Sequence, residues 1–196
     1  IEGSEGFSSL QRLAEESDIL TFHVPLLREG SHPTFHLANA DFFHRLKRKT
    51  VVMHTSRGEV VDTLALKKAL HKGLVKEAIL DVWENEPTID LDLLHYIYIG
   101  TPHIAGYSAD GKANATRQAL DALCRHFQLQ GHYTITPPAP PQPEVEAATL
   151  PEALLQIYNP HTDSQALKNH PELFEQIRGN YPLRREEGAY HISIQR

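Results

Sequence analysis

The chain has a single cysteine, Cys124, among 196 residues. No disulfide can form within it, which fits a reducing compartment and points to the cytoplasm. No apolar run reaches the length of a bilayer span, so no membrane partner is expected. The opening Ile1-Glu2-Gly3-Ser4-Glu5-Gly6 has neither the basic region nor the apolar core of a signal peptide, and no initiator methionine; the chain is expected to begin inside a longer protein. Basic charge is not in excess. The formal net charge is −6, which argues against nucleic acid, because binding phosphates needs a basic face. Thirteen histidines are present, but no Cys-x-x-Cys or His-Glu-x-x-His pattern. His32 and His36 are four apart with Pro33 between them, where no helix would align them, so no metal site is expected.

Apolar patterning predicts alternating helices and strands. Phe7–Glu16 reads as an amphipathic helix capped by Ser8 or Ser9. Ile19–Val24, β-branched and aromatic, reads as a buried parallel strand stopped by Pro25. Asn39 opens a helix that Lys47-Arg48-Lys49 closes, cations suiting the negative end of the dipole. Thr50–Thr55 is a second strand. Thr63 caps a helix over 64–71, which Gly73 ends. Strands follow over 77–83 and 96–99, separated by a short helical turn. A long helix spans 108 to about 130, with Gly131 ending it. The run Thr136-Pro137-Pro138-Ala139-Pro140-Pro141-Gln142-Pro143 reads as an extended linker. Two helices follow, over 150–158 and, broken near Pro171, over 163–178; a strand spans 190–194. Strands alternating with helices mean a parallel sheet with right-handed crossovers. The Gly-rich turn that normally opens a doubly wound nucleotide domain, and its acidic residue, are absent; the strands present read as the later ones.

Three strand ends carry chemistry. His103 follows Gly100-Thr101-Pro102, where proline must stop the strand, on the side where open α/β sheets bind ligands. Alone it reads as a hydrogen-bonded structural residue; an Arg and a Glu at two other strand ends turn the reading toward function. Arg57, before Gly58 at the end of the second strand, offers a planar fork for a carboxylate and a charge to steady a developing oxyanion; the other reading is a surface ion pair. Glu86, after the third strand, can partner His103, with Glu84 as its rival; a carboxylate beside an imidazole suits acid–base work. Asp81, near the end of that strand, would need partners if buried: an amide such as a nicotinamide carboxamide, or a helix N-terminus. Tyr107 and Lys112 reach either toward a substrate or into packing.

Ser56-Arg57-Gly58-Glu59-Val60-Val61-Asp62, Asp81-Val82-Trp83-Glu84-Asn85-Glu86-Pro87 and Thr101-Pro102-His103-Ile104-Ala105-Gly106 resemble, in order and spacing, the three late motifs of the D-isomer-specific 2-hydroxyacid dehydrogenases. His23-Val24-Pro25-Leu26 matches a fourth feature. Gly106-Tyr107 followed by Gly111-Lys112, and Asn180-Tyr181-Pro182-Leu183-Arg184-Arg185-Glu186 in the tail, resemble a branch of that family with an added C-terminal dimerisation domain. The resemblance implies an incomplete doubly wound, Rossmann-like α/β sheet (1–107), a connecting helix (108–131), a proline-rich linker (132–147) and a small α+β dimerisation domain (148–196). It implies His103 as proton donor and acceptor, Glu86 as its partner and Arg57 as the carboxylate clamp. NAD would be lined by Val24, Thr55, Ser56, Arg57, Asp81 and Gly106, with Tyr107 on the substrate. The implied reaction oxidises 4-phospho-D-erythronate with NAD to 2-oxo-3-hydroxy-4-phosphobutanoate, toward pyridoxal phosphate, in a homodimer. The branch is similar to sister enzymes acting on phosphoglycerate, glyoxylate or hydroxypyruvate, and a non-catalytic NAD-sensing dimerisation module remains the alternative. Two departures stand out: His54 where the family often has Asn, and Val24 where a hydroxyl residue is common. Without the Gly-rich turn, the 196 residues alone are expected not to turn over.

Overall fold

A computed structural model describes residues 6–131 and 133–195. The readings for the opening residues 1–5, the first linker residue 132 and the final residue 196 lie outside them. The chain forms two compact units, Ile1–His103 with His161–Gly179, and Ile104–Pro160 with Asn180–Arg196.

The first unit is built on a parallel sheet of β1 (Ile19–Phe22), β2 (Thr50–His54), β3 (Val75–Leu80) and β4 (Ile99–Gly100), in the order β1-β2-β3-β4. The connecting helices are α2 (Ala40–His44), α3 (Thr63–His71) and α4 (Leu91–Tyr96), with α1 (Leu10–Glu16) before β1. Strands laid down in sequential order by right-handed crossovers place all three connecting helices on one face. Burial follows that rule. Leu20, Val52 and Ala78 are in register, as are Phe22, His54 and Leu80, and all six are buried with Phe42, Phe43, Leu66, Leu70 and Leu94. The opposite face carries Ile19, Val51 and Glu77. Ile19 is 62% exposed and β1 alternates exposed and buried. Among the described residues β1 pairs with β2 and buries one face, where its apolar run predicts burial on both.

Local chemistry sets the element ends. Ser9, Asn39, Asp62 and Asp90 cap α1, α2, α3 and α4 by accepting from the backbone N–H three residues on, as short polar side chains do. Asp62, not Thr63, is the α3 cap; Thr63 is the first helical residue. Gly73 adopts φ +67 just past α3, as expected. Strand boundaries contract relative to the apolar runs: β1 ends at Phe22, β3 at Leu80, and β4 keeps two residues because α4 continues through Tyr96. α2 stops at His44, so Lys47-Arg48-Lys49 does not close it. Lys47 and Arg48 instead pair with Glu15 at 2.6 Å and Asp18 at 3.1 Å.

The tail does not form one separate domain. α7 (Pro160–Asn169) and α8 (Phe174–Gly179) flank a short break at Pro171–Leu173, and from His161 onward they belong to the sheet unit. Leu167 and Phe174 are buried in its core. Ser164 Oγ accepts from Gly100 N at 3.0 Å and Lys168 Nζ donates to the Ile97 carbonyl at 2.7 Å. These contacts cover the edge at β4, which an open sheet must otherwise leave unpaired.

The second unit contains α5 (Ala109–Phe127), which Ser108 caps and which ends at Gln128 in the left-handed region, three residues before the glycine expected to stop it. A two-stranded parallel sheet pairs β5 (Glu144–Ala147) with β6 (His191–Ile194). β5 falls inside the span read as linker. Its first rung, His191 N to the Pro143 carbonyl at 2.8 Å, uses the one backbone group that proline retains. Val145 and Ala147 face α6 (Leu150–Ile157) through Ala153, with Ile157, Tyr190 and Ile192 around them.

Two positions test the sheet unit. Gly58 is buried, and a Cβ there would meet the Trp83 carbonyl oxygen at 1.9 Å. Gly58→Ala should therefore destabilise the fold by at least about 1–3 kcal/mol, read as a lower urea midpoint. His54 is 1% exposed. Its Nε2–H donates to the Arg57 carbonyl at 2.8 Å and its Nδ1 faces the Ser56 hydroxyl at 3.4 Å, the pattern of a neutral ring. Burial pushes its pKa below the ordinary 6.5, outweighing the backbone contacts that favour the charged form. The unfolded state then binds the proton more readily. The stability that the neutral ring contributes is complete above about pH 6.5 and is lost as pH falls through the folded ring's lower value. His54→Asn should lose less stability than the parent between about pH 7.5 and 5.5, measured by urea denaturation at each pH.

Candidate active site

The site grows from the last rungs of the parallel ladder. Asp81 N donates to the His54 carbonyl at 2.9 Å, and His103 N donates to the Asp81 carbonyl at 2.7 Å. The last residue of β2 and residues just past β3 and β4 are thus tied at one end of the sheet. This is the carboxyl end, where open α/β sheets hold ligands.

Two turns leave ordinary backbone space there. Asn85 has φ 62 and His103 has φ 56, each costing of order 1–3 kcal/mol for a non-glycine residue. The result is a direct pair: His103 Nδ1 lies 2.8 Å from Glu86 Oε2. Both side chains are mostly sheltered, at 25% and 19% exposure. The other Glu86 oxygen accepts from Trp83 N at 2.8 Å, so the carboxylate is held by its own turn while it holds the ring. A carboxylate on Nδ1 makes that nitrogen the donor and leaves Nε2 as the proton-exchanging atom.

The rivalry between Glu84 and Glu86 is resolved by partners. Glu84 pairs with His36 Nε2 at 2.7 Å and accepts from Thr63 N at 2.8 Å. Burial alone would raise its pKa, but the bonds from His36 and Thr63 outweigh that and hold the carboxyl below its usual range. It ties the third-strand turn to the start of α3 and does not contact the imidazole.

Asp81 is 4% exposed and lies one residue past β3. Its Oδ1 accepts the Thr101 hydroxyl at 2.6 Å. The helix-cap reading does not apply, since Asp90 caps the next helix. Arg57 is exposed. Its guanidinium donates to the Ser56 carbonyl at 2.6 Å and, among the described residues, forms no ion pair. It bonds to neither Glu86 nor His103. What connects it to them is backbone: Gly58 packs on the Trp83–Glu84 backbone, which leads to Glu86. Ser56 is buried beside His54 and Thr55 Oγ1 lies 3.2 Å from His23 Nδ1. Val24 is half-buried against the core.

Gly106 and Tyr107 belong to the second unit. Gly106 is exposed, and a Cβ there would meet nothing within 4 Å, so no contact among the described residues demands glycine. Tyr107 is half-buried, edge-on to Tyr181 at 6.2 Å, with Lys112 Nζ 4.5 Å from its ring centre. Sequence reasoning missed Thr101 and Trp83, whose Nε1–H donates to the Thr101 carbonyl at 2.9 Å. No periodicity marks either; the one signal available is that tryptophan occurs once in the chain. Among the described residues no group of three His, Cys, Asp or Glu side chains is placed to hold a metal, and no helix is long and apolar enough to cross a membrane.

Residues 2–105 match the family model described as D-isomer specific 2-hydroxyacid dehydrogenase, NAD binding domain. The chain is 60% identical over 193 residues to an erythronate-4-phosphate dehydrogenase of Bacteroides fragilis, covering 98% of this chain and 56% of that protein. It is 39% identical over 199 residues to one from Porphyromonas gingivalis, covering 97% and 54%. The chain thus spans about half the length of the curated relatives it matches. Among solved structures, apo D-mandelate dehydrogenase of Rhodotorula graminis aligns with a TM-score of 0.55 at 28% identity, covering 68% of this chain and 39% of that one. With the family model spanning more than half of the residues and the strand-end motifs gathered on one parallel sheet, the chain belongs to the D-isomer specific 2-hydroxyacid dehydrogenases.

Proposed function

We propose that the complete polypeptide carrying this chain oxidises the C2 hydroxyl of 4-phospho-D-erythronate to 2-oxo-3-hydroxy-4-phosphobutanoate, a step toward pyridoxal phosphate, as a cytoplasmic homodimer. The observation that carries this reading is the 2.8 Å pair between His103 and Glu86 at the carboxyl end of the sheet. Likeness to the erythronate-4-phosphate dehydrogenases supports the choice of substrate.

The residues suit a nicotinamide cofactor. Val24, Thr55, Ser56, Arg57 and Asp81 all follow the carboxyl ends of β1, β2 or β3, and the buried Asp81 carboxylate is the acceptor that a carboxamide NH2 requires. Gly106 lines the same cofactor. NAD, when bound, supplies the acceptor for the hydride that leaves C2. His103 Nε2 takes the hydroxyl proton as the C2–H bond breaks, leaving a C2 carbonyl. Glu86, on Nδ1, fixes the ring's tautomer and stabilises the imidazolium that forms. Arg57, which forms no ion pair among the described residues, takes the substrate carboxylate as a planar fork. Tyr107 touches the substrate.

Two measurements test the reading. Steady-state assays of the complete protein with 4-phospho-D-erythronate and 3-phosphoglycerate should show higher kcat/KM for the first; faster turnover of the second would move the protein to a sister activity. His103→Gln should lower kcat by about a hundredfold or more, and Glu86→Gln should lower it while altering the pH profile. Unchanged turnover in His103→Gln, with NAD binding intact, would point to a non-catalytic NAD-binding module.

A further inference from the structure

The segment that follows His103 in sequence, Ile104-Ala105-Gly106-Tyr107, has no helix or strand of its own. It is clamped by a residue far along the chain. Arg184 Nη2 donates to the Ile104 and Ala105 carbonyls, at 3.0 Å each. The guanidinium carbon lies 4.4 Å from the Tyr158 ring centre and 5.5 Å from that of Tyr181. Tyr181 in turn meets Tyr107 edge-on. The backbone of Arg184 is itself anchored, because its carbonyl accepts from Ala109 N at 2.8 Å. The next two residues continue the strap. Arg185 forms a two-bond pair with Asp110 at 2.9 and 3.0 Å, and Glu186 accepts the Ser108 hydroxyl at 2.6 Å. Residues 184–186 therefore hold the loop and the first turn of α5 together.

We propose that Arg184 is a positioning residue for the reaction, fixing the backbone of the loop that presents Gly106 to the cofactor and Tyr107 to the substrate. The proposal rests on the roles given to those two residues above. The chemistry calls for arginine. The two N–H groups of one terminal nitrogen meet two successive carbonyls while the planar face of the same group lies against aromatic rings; a lysine ammonium can donate but has no such face. A loop displaced by about an ångström can cost up to about a hundredfold in rate without touching the reacting atoms.

The test uses the complete protein with Arg184→Ala, Arg184→Lys and His103→Gln made in parallel. Arg184→Ala should lower kcat/KM by roughly tenfold to a hundredfold, with KM for the hydroxy acid raised, far-UV circular dichroism unchanged, and partial recovery on adding methylguanidinium. Arg184→Lys should stay low. If Arg184→Ala is too unstable to purify, Arg184→Lys carries the test, since it keeps the charge and removes the planar group. The proposal is overturned if either variant keeps kcat and KM within about twofold of the parent, or if the loss follows the folded fraction alone and methylguanidinium does nothing. Parent-level turnover in His103→Gln would instead remove the acid–base assignment itself. An inactive His103→Gln beside fully active Arg184 variants removes only the positioning role.

Discussion

The contact between the Glu86 carboxylate and the His103 ring is the constraint that the rest of the sheet unit serves. It joins two loops that leave neighbouring strands, and it closes only because the ladder beneath it is in register. The backbone rungs from His54 to Asp81 and from Asp81 to His103 set the spacing of the strand ends. The left-handed backbone at Asn85 and His103 then turns the two side chains toward each other. That strain persists because the surroundings over-determine it: Trp83 N and the imidazole occupy both carboxylate oxygens, and the Trp83 indole is bonded to the loop before His103.

Within this chain the crossover helices cover one face of the sheet. Sequential strand order sends every crossover helix to one face, so the face bearing Leu20, Val52 and Ala78 is sealed. The edge at β4 is closed differently, by α7 and α8, which arrive from beyond the second unit's strand and helix. Ser164 and Lys168 meet the backbone at Gly100 and Ile97, directly before the turn that carries His103. The edge that bears the imidazole is thereby kept from pairing with anything else.

Much of this was legible in the residues. Apolar runs ended by Pro25, Arg57-Gly58 and Thr101-Pro102 locate the parallel strands and their carboxyl ends, because proline and glycine interrupt a ladder for reasons local to the backbone. Short polar residues ahead of apolar runs locate four helix starts to within one residue. Less legible were the ends of strands. Asp81-Val82-Trp83 continues the apolar pattern of β3 although pairing stops at Leu80, since a partner strand, not hydrophobicity, decides where a ladder ends. β5 was hidden for the opposite reason: Glu144-Val145-Glu146-Ala147 has weak strand character, and it forms because β6, over forty residues later, offers it a parallel edge.

The amino-acid sequence by itself determined which chemical groups stand at the strand ends, a guanidinium, three carboxylates after the third strand and an imidazole, because motif order and backbone-breaking residues are local properties of the chain. Only tertiary structure decided which of Glu84 and Glu86 meets His103. The two differ by two positions in one turn, and the choice depends on where His36 and the start of α3 sit, a matter of packing between distant segments. The clamp of Arg184 on the loop after His103 is of the same kind: two carbonyls and a cation eighty residues apart carry no mark of each other until the chain is folded.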